Sequence, residues 1–341
     1  MEWIDKFLDE LTLFVPETPD STELITRAVE RGWQGNLWHC NLTYSLIGEP
    51  NVFSLACERR APARDSLWTV ALRDMEVYRN LFNIRVEDPV LSDFRHDSPM
   101  VKSPSALQVT ALAKALDAAS TPEEMLDRLC EHYARYGAGI LGMGQIFRVA
   151  EENGHARFFP VENRRQVRLS DLVGYQVQKD LLLENTLSFL HGRHANNVLL
   201  YGDAGTGKST SIQAIAGEYA DRGLRVIELY KHQFSLIPDI LSQIKGRNYR
   251  FVLFLDDLSF EENEIEYKHL KAVMEGGAEA APENVLIYAT SNRRHLIRET
   301  WNDRSDMQHD GDIHRSDTME EKLSLAGRFG LQIYYPNPSF E

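Results

Sequence analysis

Eight consecutive residues carry the strongest chemical signal in the sequence. They run from Gly202 to Ser209 and read Gly-Asp-Ala-Gly-Thr-Gly-Lys-Ser, which matches the G-x-x-x-x-G-K-[ST] pattern of a phosphate-binding loop. In such a loop, backbone N–H groups surround a phosphate, the lysine reaches the β- and γ-phosphates, and the hydroxyl ligates Mg²⁺. An apolar run at 197–201 precedes this phosphate loop and a helical pattern begins at Lys208, which is the context that a functional loop requires. The residues expected to contact a bound nucleotide are Gly202, Ala204, Gly205, Thr206, Gly207, Lys208, Ser209 and Thr210.

Polar side chains end two later apolar runs. Residues 251–255 run into Asp256 and Asp257, and residues 285–290 are followed by Ser291 and Asn292. We expect Asp256 to hold Mg²⁺ together with Ser209, and Asp257 to orient or deprotonate the attacking water. Asn292 would lie beside the γ-phosphate if its strand neighbours the strand of the phosphate loop. The alternatives are a strand that ends in solvated acids and an asparagine that only caps a strand or a helix.

Apolar runs and helical patterns alternate through the second half of the chain. The predicted strands are 197–201, 225–230, 251–256, 285–290 and 331–335, and the predicted helices between them are 208–222, 237–245 and 266–275. Strands that are apolar almost throughout are typical of a parallel sheet covered on both faces. The pattern therefore predicts a doubly wound α/β domain with its ligand at the carboxyl ends of the strands.

The first half of the chain has the periodicity of helices. Apolar residues recur at helical spacing near the N-terminus (residues 3–11) and at 67–82, 107–116 and 125–133. Two β-prone runs around Asn153 and Gly154 predict a hairpin at 145–161, and the polar stretch 162–170 is typical of a linker. We therefore expect a mostly helical N-terminal domain at 1–161 that ends in the hairpin, a linker at 162–170, and an α/β core with the phosphate loop at 171–341.

Composition excludes several classes of protein. The 341 residues carry 37 Lys and Arg against 51 Asp and Glu, a net charge of −14, which argues against broad binding of nucleic acid or of an anionic membrane. No apolar run is long enough for a membrane span, and the start does not resemble a signal peptide. The three cysteines are not close in sequence, so neither a disulfide framework nor a zinc site is indicated. We expect a cytoplasmic protein.

The motifs together resemble a known superfamily. The phosphate loop, the paired acids, Asn292 and a Gly-Arg-Phe-Gly string at 327–330 are similar to those of AAA+ ATPases, near the clamp-loader and initiator branches. More closely, residues 170–335 resemble a bacterial AAA+ group catalogued as domain of unknown function 815. The residues that carry this match lie at 171–174, 196–200, 256–261, 284–295 and 320–331.

The resemblance implies a five-stranded parallel sheet in the order 5-1-4-3-2. It also implies a sensor role for Asn292, an adenine site lined by Val173 and Gly174, and a homo-oligomer in which Arg328 reaches a neighbour's nucleotide. Arg328 paired with a surface acid such as Glu320 or Glu321 is the alternative. AAA+ proteins usually carry Asp-Glu where this chain has two aspartates, so we expect slow hydrolysis. The sequence ends soon after the fifth strand, so we expect either a fragment or a core that lacks the helical lid of the superfamily.

These observations predict an ATPase that cleaves ATP to ADP and phosphate and remodels an unknown protein partner bound through the N-terminal domain. A nucleotide-dependent switch with little turnover and a DNA-remodelling ATPase of the helicase-loader type are the alternatives. The only dense basic cluster is Arg293, Arg294, His295 and Arg298. Residues 306–317 resemble a calcium-binding loop only weakly. A G-x-G-x-x-G string at 137–142 follows a helix rather than a strand, which is the reverse of a dinucleotide-binding loop, so a flexible joint is the better interpretation of this string.

Overall fold

A computed structural model describes residues 21–60, 64, 66–161, 167–259, 266–275, 281–292 and 325–337. The chain divides into two compact units, Met1–Met143 and Gly144–Glu341. The helical pattern predicted at 3–11, the basic cluster that begins at Arg293 and the calcium-like string at 306–317 lie outside the described residues. No helix within the described ranges is both long and apolar enough to cross a lipid bilayer.

The first unit is helical, as the periodicity predicts. Its helices are α1 (Ser21–Arg31), α2 (Leu37–Gly48), α3 (Val52–Glu58), α4 (Ser66–Phe82), α5 (Pro89–Ser92), α6 (Pro104–Asp117) and α7 (Pro122–Tyr136). Capping residues fix several of the starts. The Asn51 and Ser54 side chains form a reciprocal capping box at α3, and the Thr121 hydroxyl accepts a hydrogen bond from the Glu124 N–H at α7. The helices enclose one apolar core that includes Trp33, Leu37 and Tyr78.

The second unit is a seven-stranded sheet with helices. Its strands are β1 (Ile146–Glu152), β2 (His155–Pro160), β3 (Val198–Gly202), β4 (Leu224–Leu229), β5 (Arg250–Leu255), β6 (Val285–Ser291) and β7 (Leu331–Tyr335). Its helices are α8 (Gln176–Leu190), α9 (Lys208–Glu218), α10 (Ile237–Ile244) and α11 (Glu266–Met274). The sheet order is β2-β1-β4-β5-β6-β3-β7. Strands β3 to β7 pair in parallel, and their order is the predicted 5-1-4-3-2.

The strand count differs from the predicted five, because the hairpin adds two strands. Strand β1 pairs antiparallel with β2 and in parallel with β4, from Ile146 opposite Val226 to Arg148 opposite Glu228. All of β4 is buried, so its second edge needs backbone partners, and β1 supplies them. The Asp239 carboxylate of α10 also accepts a hydrogen bond from the Ala156 N–H at 2.6 Å. The hairpin therefore lies in the second unit, and the division falls after Met143 rather than at the predicted linker.

This sheet brings the polar strand ends together. Strands β3, β5 and β6 run in the same direction, with β6 between the other two. Their carboxyl ends therefore meet at one edge, and the phosphate loop, Asp256, Asp257 and Asn292 lie there. The amino ends of β3, β6 and β7 lie at the opposite edge, about 15 Å away for strands of this length.

Candidate functional site

The phosphate loop joins β3 to α9. Gly205 and Gly207 adopt positive φ angles of 78° and 88°, which side chains strongly disfavour. A Cβ on Gly205 would meet no atom within 4 Å, whereas a Cβ on Gly202 would lie 2.0 Å from the backbone oxygen of Tyr335. Gly202 is therefore required by the packing of β3 on β7, and Gly205 leaves open space at the exposed tip of the loop. The loop has the shape and the backbone N–H groups that fit a phosphate.

The remaining predicted contacts of the loop are spread from its tip to the first turn of α9. Ala204 is exposed, and Thr210 is half-buried on the helix. Thr206 is buried, and its hydroxyl donates to the Asp203 carbonyl at 2.9 Å. This bond closes the loop on itself, which stabilises its conformation before any ligand arrives.

The Lys208 ammonium lies inside this loop. Its Nζ donates to the backbone oxygens of Gly202 at 2.8 Å and Asp203 at 2.7 Å, and to Asn292 Oδ1 at 3.2 Å. The residue is only 6% exposed. Burial lowers the pKa of Lys208, and the nearby carboxylates of Asp203, Asp257 and Asp256 oppose that change by favouring the charged form. The ammonium is thus held by backbone and amide oxygens, at the place where a phosphate oxygen would be an alternative acceptor.

Ser209 and Asp256 form a pair of oxygen ligands. The Ser209 hydroxyl, at the start of α9, donates to Asp256 Oδ1 at 2.6 Å. Hydroxyl and carboxylate oxygens are the donors that Mg²⁺ prefers, and the ion usually completes its octahedron with water and phosphate oxygens. These two residues fit a magnesium ion between the loop and the end of β5.

Thr290 is a part of the site that the sequence analysis missed. It is 2% exposed, and its Oγ1 donates to Asp256 Oδ1 at 2.6 Å while accepting a hydrogen bond from the Asp257 N–H at 2.9 Å. The Thr290 carbonyl also accepts from the Leu258 N–H at 2.7 Å. One residue of β6 therefore fixes both acids at the end of β5. The available signal was a hydroxyl in an otherwise apolar run, two residues before Asn292.

Replacing Thr290 by valine is expected to weaken the site without changing its volume. Because the hydroxyl orients Asp256, we expect the apparent Mg²⁺ affinity in an ATP-dependent assay to fall by about tenfold, the effect of losing one hydrogen bond to a charged group. Thr290→Ser keeps the hydroxyl and should stay close to wild type. Titration of Mg²⁺ at fixed ATP measures this, and equal losses in the two variants would show that only packing matters at this position.

Asp257 and Asn292 lie in contact. The Asn292 Nδ2 donates to Asp257 Oδ1 at 2.9 Å, so this amide bridges Asp257 and Lys208. Asp257 has a φ of 52°, an uncommon backbone conformation for a residue other than glycine. Residues held in such conformations cluster at functional sites. Strands β3 and β6 are direct neighbours, the condition on which the position of Asn292 beside the phosphate depends.

Val173 and Gly174 lie on the segment that precedes α8. Val173 is 94% exposed, Gly174 has a φ of 77°, and a Cβ added to Gly174 would meet nothing within 4 Å. The neighbouring Leu172 side chain would lie 3.6 Å from a Cβ on Gly207, so this segment passes beside the phosphate loop. An exposed apolar side chain next to the loop is suited to a flat apolar ring.

Arg328 does not join the other residues of the site. It lies just before β7, where the Leu331 N–H donates to the Asn197 carbonyl at the amino end of β3. Its Nη2 donates to Glu275 Oε1 at 3.0 Å, and Lys271 approaches the same oxygen at 3.8 Å. Glu320 and Glu321, the acids considered from the sequence, lie outside the described residues. Arg328 is thus at the edge of the sheet opposite its own phosphate loop.

Comparison with known proteins places the second unit in a family. A family model described as "Protein of unknown function (DUF815)" matches residues 144–341. The chain belongs to the DUF815 family. The match begins at Gly144, where the second unit begins, and it includes the hairpin. Together with the phosphate loop and the order of the parallel strands, this makes the DUF815 chain a member of the AAA+ superfamily of P-loop ATPases.

Curated relatives match shorter parts of the DUF815 chain. The replication factor C large subunit of Methanococcus maripaludis strain C7 is 37% identical over 86 residues, which are 25% of this chain and 17% of the relative. The ATP-dependent zinc metalloprotease FtsH of Sulfurovum sp. strain NBC37-1 is 24% identical over 60% of this chain and 30% of the relative. The chain therefore spans less than a third of either relative.

Solved structures match about half of the DUF815 chain. The RuvB Holliday junction branch migration motor of Thermotoga maritima is 18% identical, with a TM-score of 0.32, over 52% of this chain and 49% of that chain. A crystal structure of DnaI is 19% identical, with a TM-score of 0.34, over 51% of this chain and 89% of that chain.

Proposed function

We propose that this protein binds ATP with Mg²⁺ at the phosphate loop and hydrolyses it to ADP and phosphate. The observation that carries the proposal is the convergence of Lys208, Ser209, Asp256, Asp257 and Asn292, linked through Thr290, in one hydrogen-bonded cluster at the carboxyl edge of the sheet. The start of one helix, α9, and the ends of two strands, β5 and β6, contribute these groups. Polar residues that were only solvated would have no reason to converge on one place from separate elements of the fold.

Each group has a defined task in this proposal. The N–H groups of the phosphate loop and the Lys208 ammonium bind the β- and γ-phosphates, and Ser209 and Asp256 hold Mg²⁺. The bound ion neutralises charge on the phosphate oxygens. Lys208 exchanges the carbonyls of Gly202 and Asp203 for phosphate oxygens when ATP binds. Val173 and Gly174 are suited to contact the adenine.

Asp257 and Asn292 are the groups that position water. Asn292 donates to Asp257, so the amide holds the carboxylate in place and keeps one of its oxygens bonded. The second oxygen is the one that accepts a proton from the attacking water. An aspartate holds its carboxylate about one methylene further back than a glutamate would, so we propose that hydrolysis is slow. ATP binding and hydrolysis would then drive rearrangement of a protein partner or of neighbouring subunits.

Replacing Asp257 by asparagine tests the hydrolytic role. The substitution keeps the shape and removes the base, so we expect turnover to fall by roughly 100-fold while ATP affinity stays within a few-fold of wild type. Phosphate release and ATP titration measure the two quantities. The matched control is Asp221→Asn, an exposed acid of the 3₁₀ turn Ala220–Arg222, which should change neither.

The outcome also separates this function from its main alternative. An ATPase motor loses turnover and partner remodelling together in Asp257→Asn. A nucleotide-dependent switch keeps its partner bound in ATP although turnover is lost. Unchanged turnover in the variant would show that Asp257 is not the base.

A further inference from the structure

Two of the three cysteines meet in the first unit. Cys57 lies on α3 and Cys130 on α7, 73 residues apart in the chain, and their Sγ atoms are 2.9 Å apart. The three cysteines are far apart along the sequence, as noted above, but the fold brings two of them into contact. A disulfide needs the sulfurs at about 2.05 Å, so the two thiols have to approach by about 0.9 Å more to bond. Both are free thiols in this structure.

The two thiols differ in access and in acidity. Cys57 is 1% exposed, whereas Cys130 is only partly buried. A hydrogen bond from Cys57 lowers the pKa of Cys130, and the Arg64 guanidinium adds to this, although burial and the acids Asp127 and Glu131 oppose it. The same hydrogen bond, together with burial, raises the pKa of Cys57. Cys130 is therefore the more accessible and the more acidic of the two thiols, and Cys57 is the more buried one beside it.

We propose that Cys57 and Cys130 form a redox-active dithiol site that is oxidised by low-molecular-weight disulfides such as oxidised glutathione. A reactive cysteine needs access and a stabilised thiolate, and a resolving partner must lie within reach of its sulfur. Cys130 meets the first two needs and Cys57 the third. This site lies in the first unit and is independent of the nucleotide site proposed above.

The oxidation proceeds by two thiol–disulfide exchanges. The Cys130 thiolate attacks one sulfur of oxidised glutathione, which forms a mixed disulfide and releases one glutathione thiolate that takes up the proton lost by Cys130. The Cys57 sulfur then attacks the Cys130 Sγ beside it, forms the Cys57–Cys130 bond and releases the second glutathione, whose sulfur takes up the proton that Cys57 loses. Two protein thiols are oxidised by two electrons, and one glutathione disulfide is reduced to two thiols.

The third cysteine provides an internal control. Cys40 is buried in α2, its thiol donates to the Gln34 carbonyl at 3.6 Å, and burial raises its pKa to about 12. It lacks both the access and the thiolate character that exchange requires. Oxidation should therefore leave Cys40 as the single free thiol of the chain.

The test uses the full chain, equilibrated with oxidised glutathione, then alkylated and digested for mass spectrometry. We expect a linked Cys57–Cys130 peptide pair that has lost about 2 Da, the two thiol hydrogens, while Cys40 is alkylated. In Cys57→Ser, the mixed disulfide with glutathione should persist at Cys130. In Cys130→Ser, Cys57 should stay reduced, because it is buried.

Three results would overturn the proposal. These are a wild-type chain that stays fully reduced, a mixed disulfide that persists at Cys130 without resolution, and linkage of Cys40 as often as of Cys57. Because the decisive measurement is made on the wild-type chain, a variant that fails to fold does not affect it. ATP affinity should be the same in the reduced and in the oxidised chain, because the dithiol site is independent of the nucleotide site.

Discussion

Lys208→Met is expected to weaken ATP binding by about 10²–10⁴-fold. The ammonium is the only side-chain cation inside the described part of the phosphate loop, and the two bonds that we propose it makes to phosphate oxygens would each be worth about 1.5–3 kcal/mol, because the partners are charged. Methionine keeps most of the apolar stem and removes the charge. Titration calorimetry with ATP and Mg²⁺ measures the affinity.

The structure also predicts a cost to stability that has to be separated from binding. Removal of the ammonium leaves the Gly202 and Asp203 carbonyls and Asn292 Oδ1 without this donor. A thermal melt in the absence of nucleotide shows whether the variant is folded at the assay temperature. The matched control is Lys245→Met, an exposed lysine that follows α10 at the opposite edge of the sheet. Wild-type affinity in a folded Lys208→Met protein would contradict the assignment of the loop.

Arg328→Ala is expected to lower turnover by about 10³–10⁵-fold, the size of effect that arginine fingers have in other ATPases and GTPases. Arg328 lies at the amino edge of the sheet, about one strand length from its own phosphate loop, so we expect it to act on a nucleotide bound by another subunit rather than on its own. Its side chain is 45% exposed and therefore accessible to a neighbouring subunit. ATP affinity should change little, and turnover at increasing protein concentration measures the effect.

Mixing two defective variants tests whether the arginine acts between subunits. Arg328→Ala keeps an intact phosphate loop, and Lys208→Met keeps an intact Arg328. If the finger reaches a neighbour, the mixture regains part of the wild-type turnover, although each variant alone is inactive. Wild-type turnover in Arg328→Ala would contradict the role of this residue. Absence of rescue in a mixture that is shown to assemble would contradict its action in trans.

Glu275 provides the matched variant for this experiment. In the structure it binds Arg328 at 3.0 Å, and Lys271 lies on the same carboxylate, so the arginine has to leave this pair before it reaches another subunit. Glu275→Gln weakens the pair and keeps the side-chain shape. Turnover in this variant should therefore be equal to or higher than that of wild type. A loss as large as that of Arg328→Ala would indicate that the ion pair itself is what matters.

Local patterns were enough to predict the centre of the site. The phosphate loop, the two acids after β5 and Asn292 after β6 are each encoded in a short stretch, and parallel strands bring such stretches to one edge. The order of the five strands β3 to β7 came from a resemblance, since the apolar runs alone do not determine which strands are neighbours. The structure agrees with that order.

The parts that were missed depend on contacts between distant residues. The sequence predicts the hairpin as a local element only. It joins the sheet because the backbone groups along one side of β4 need partners, and β1 supplies them. Thr290 reads as one more residue of an apolar strand until the register of β6 on β5 brings its hydroxyl to Asp256. The pairing of Cys57 with Cys130 likewise follows from the packing of α3 against α7 and leaves no trace in the spacing of cysteines.

The most direct test of the central claim is steady-state release of phosphate from ATP by the purified full chain, with and without Mg²⁺, beside Asp257→Asn. We predict slow release that requires Mg²⁺, rises in specific activity with protein concentration, and is nearly lost in the variant. A wild-type chain that neither releases phosphate nor binds ATP at micromolar concentrations would contradict the account.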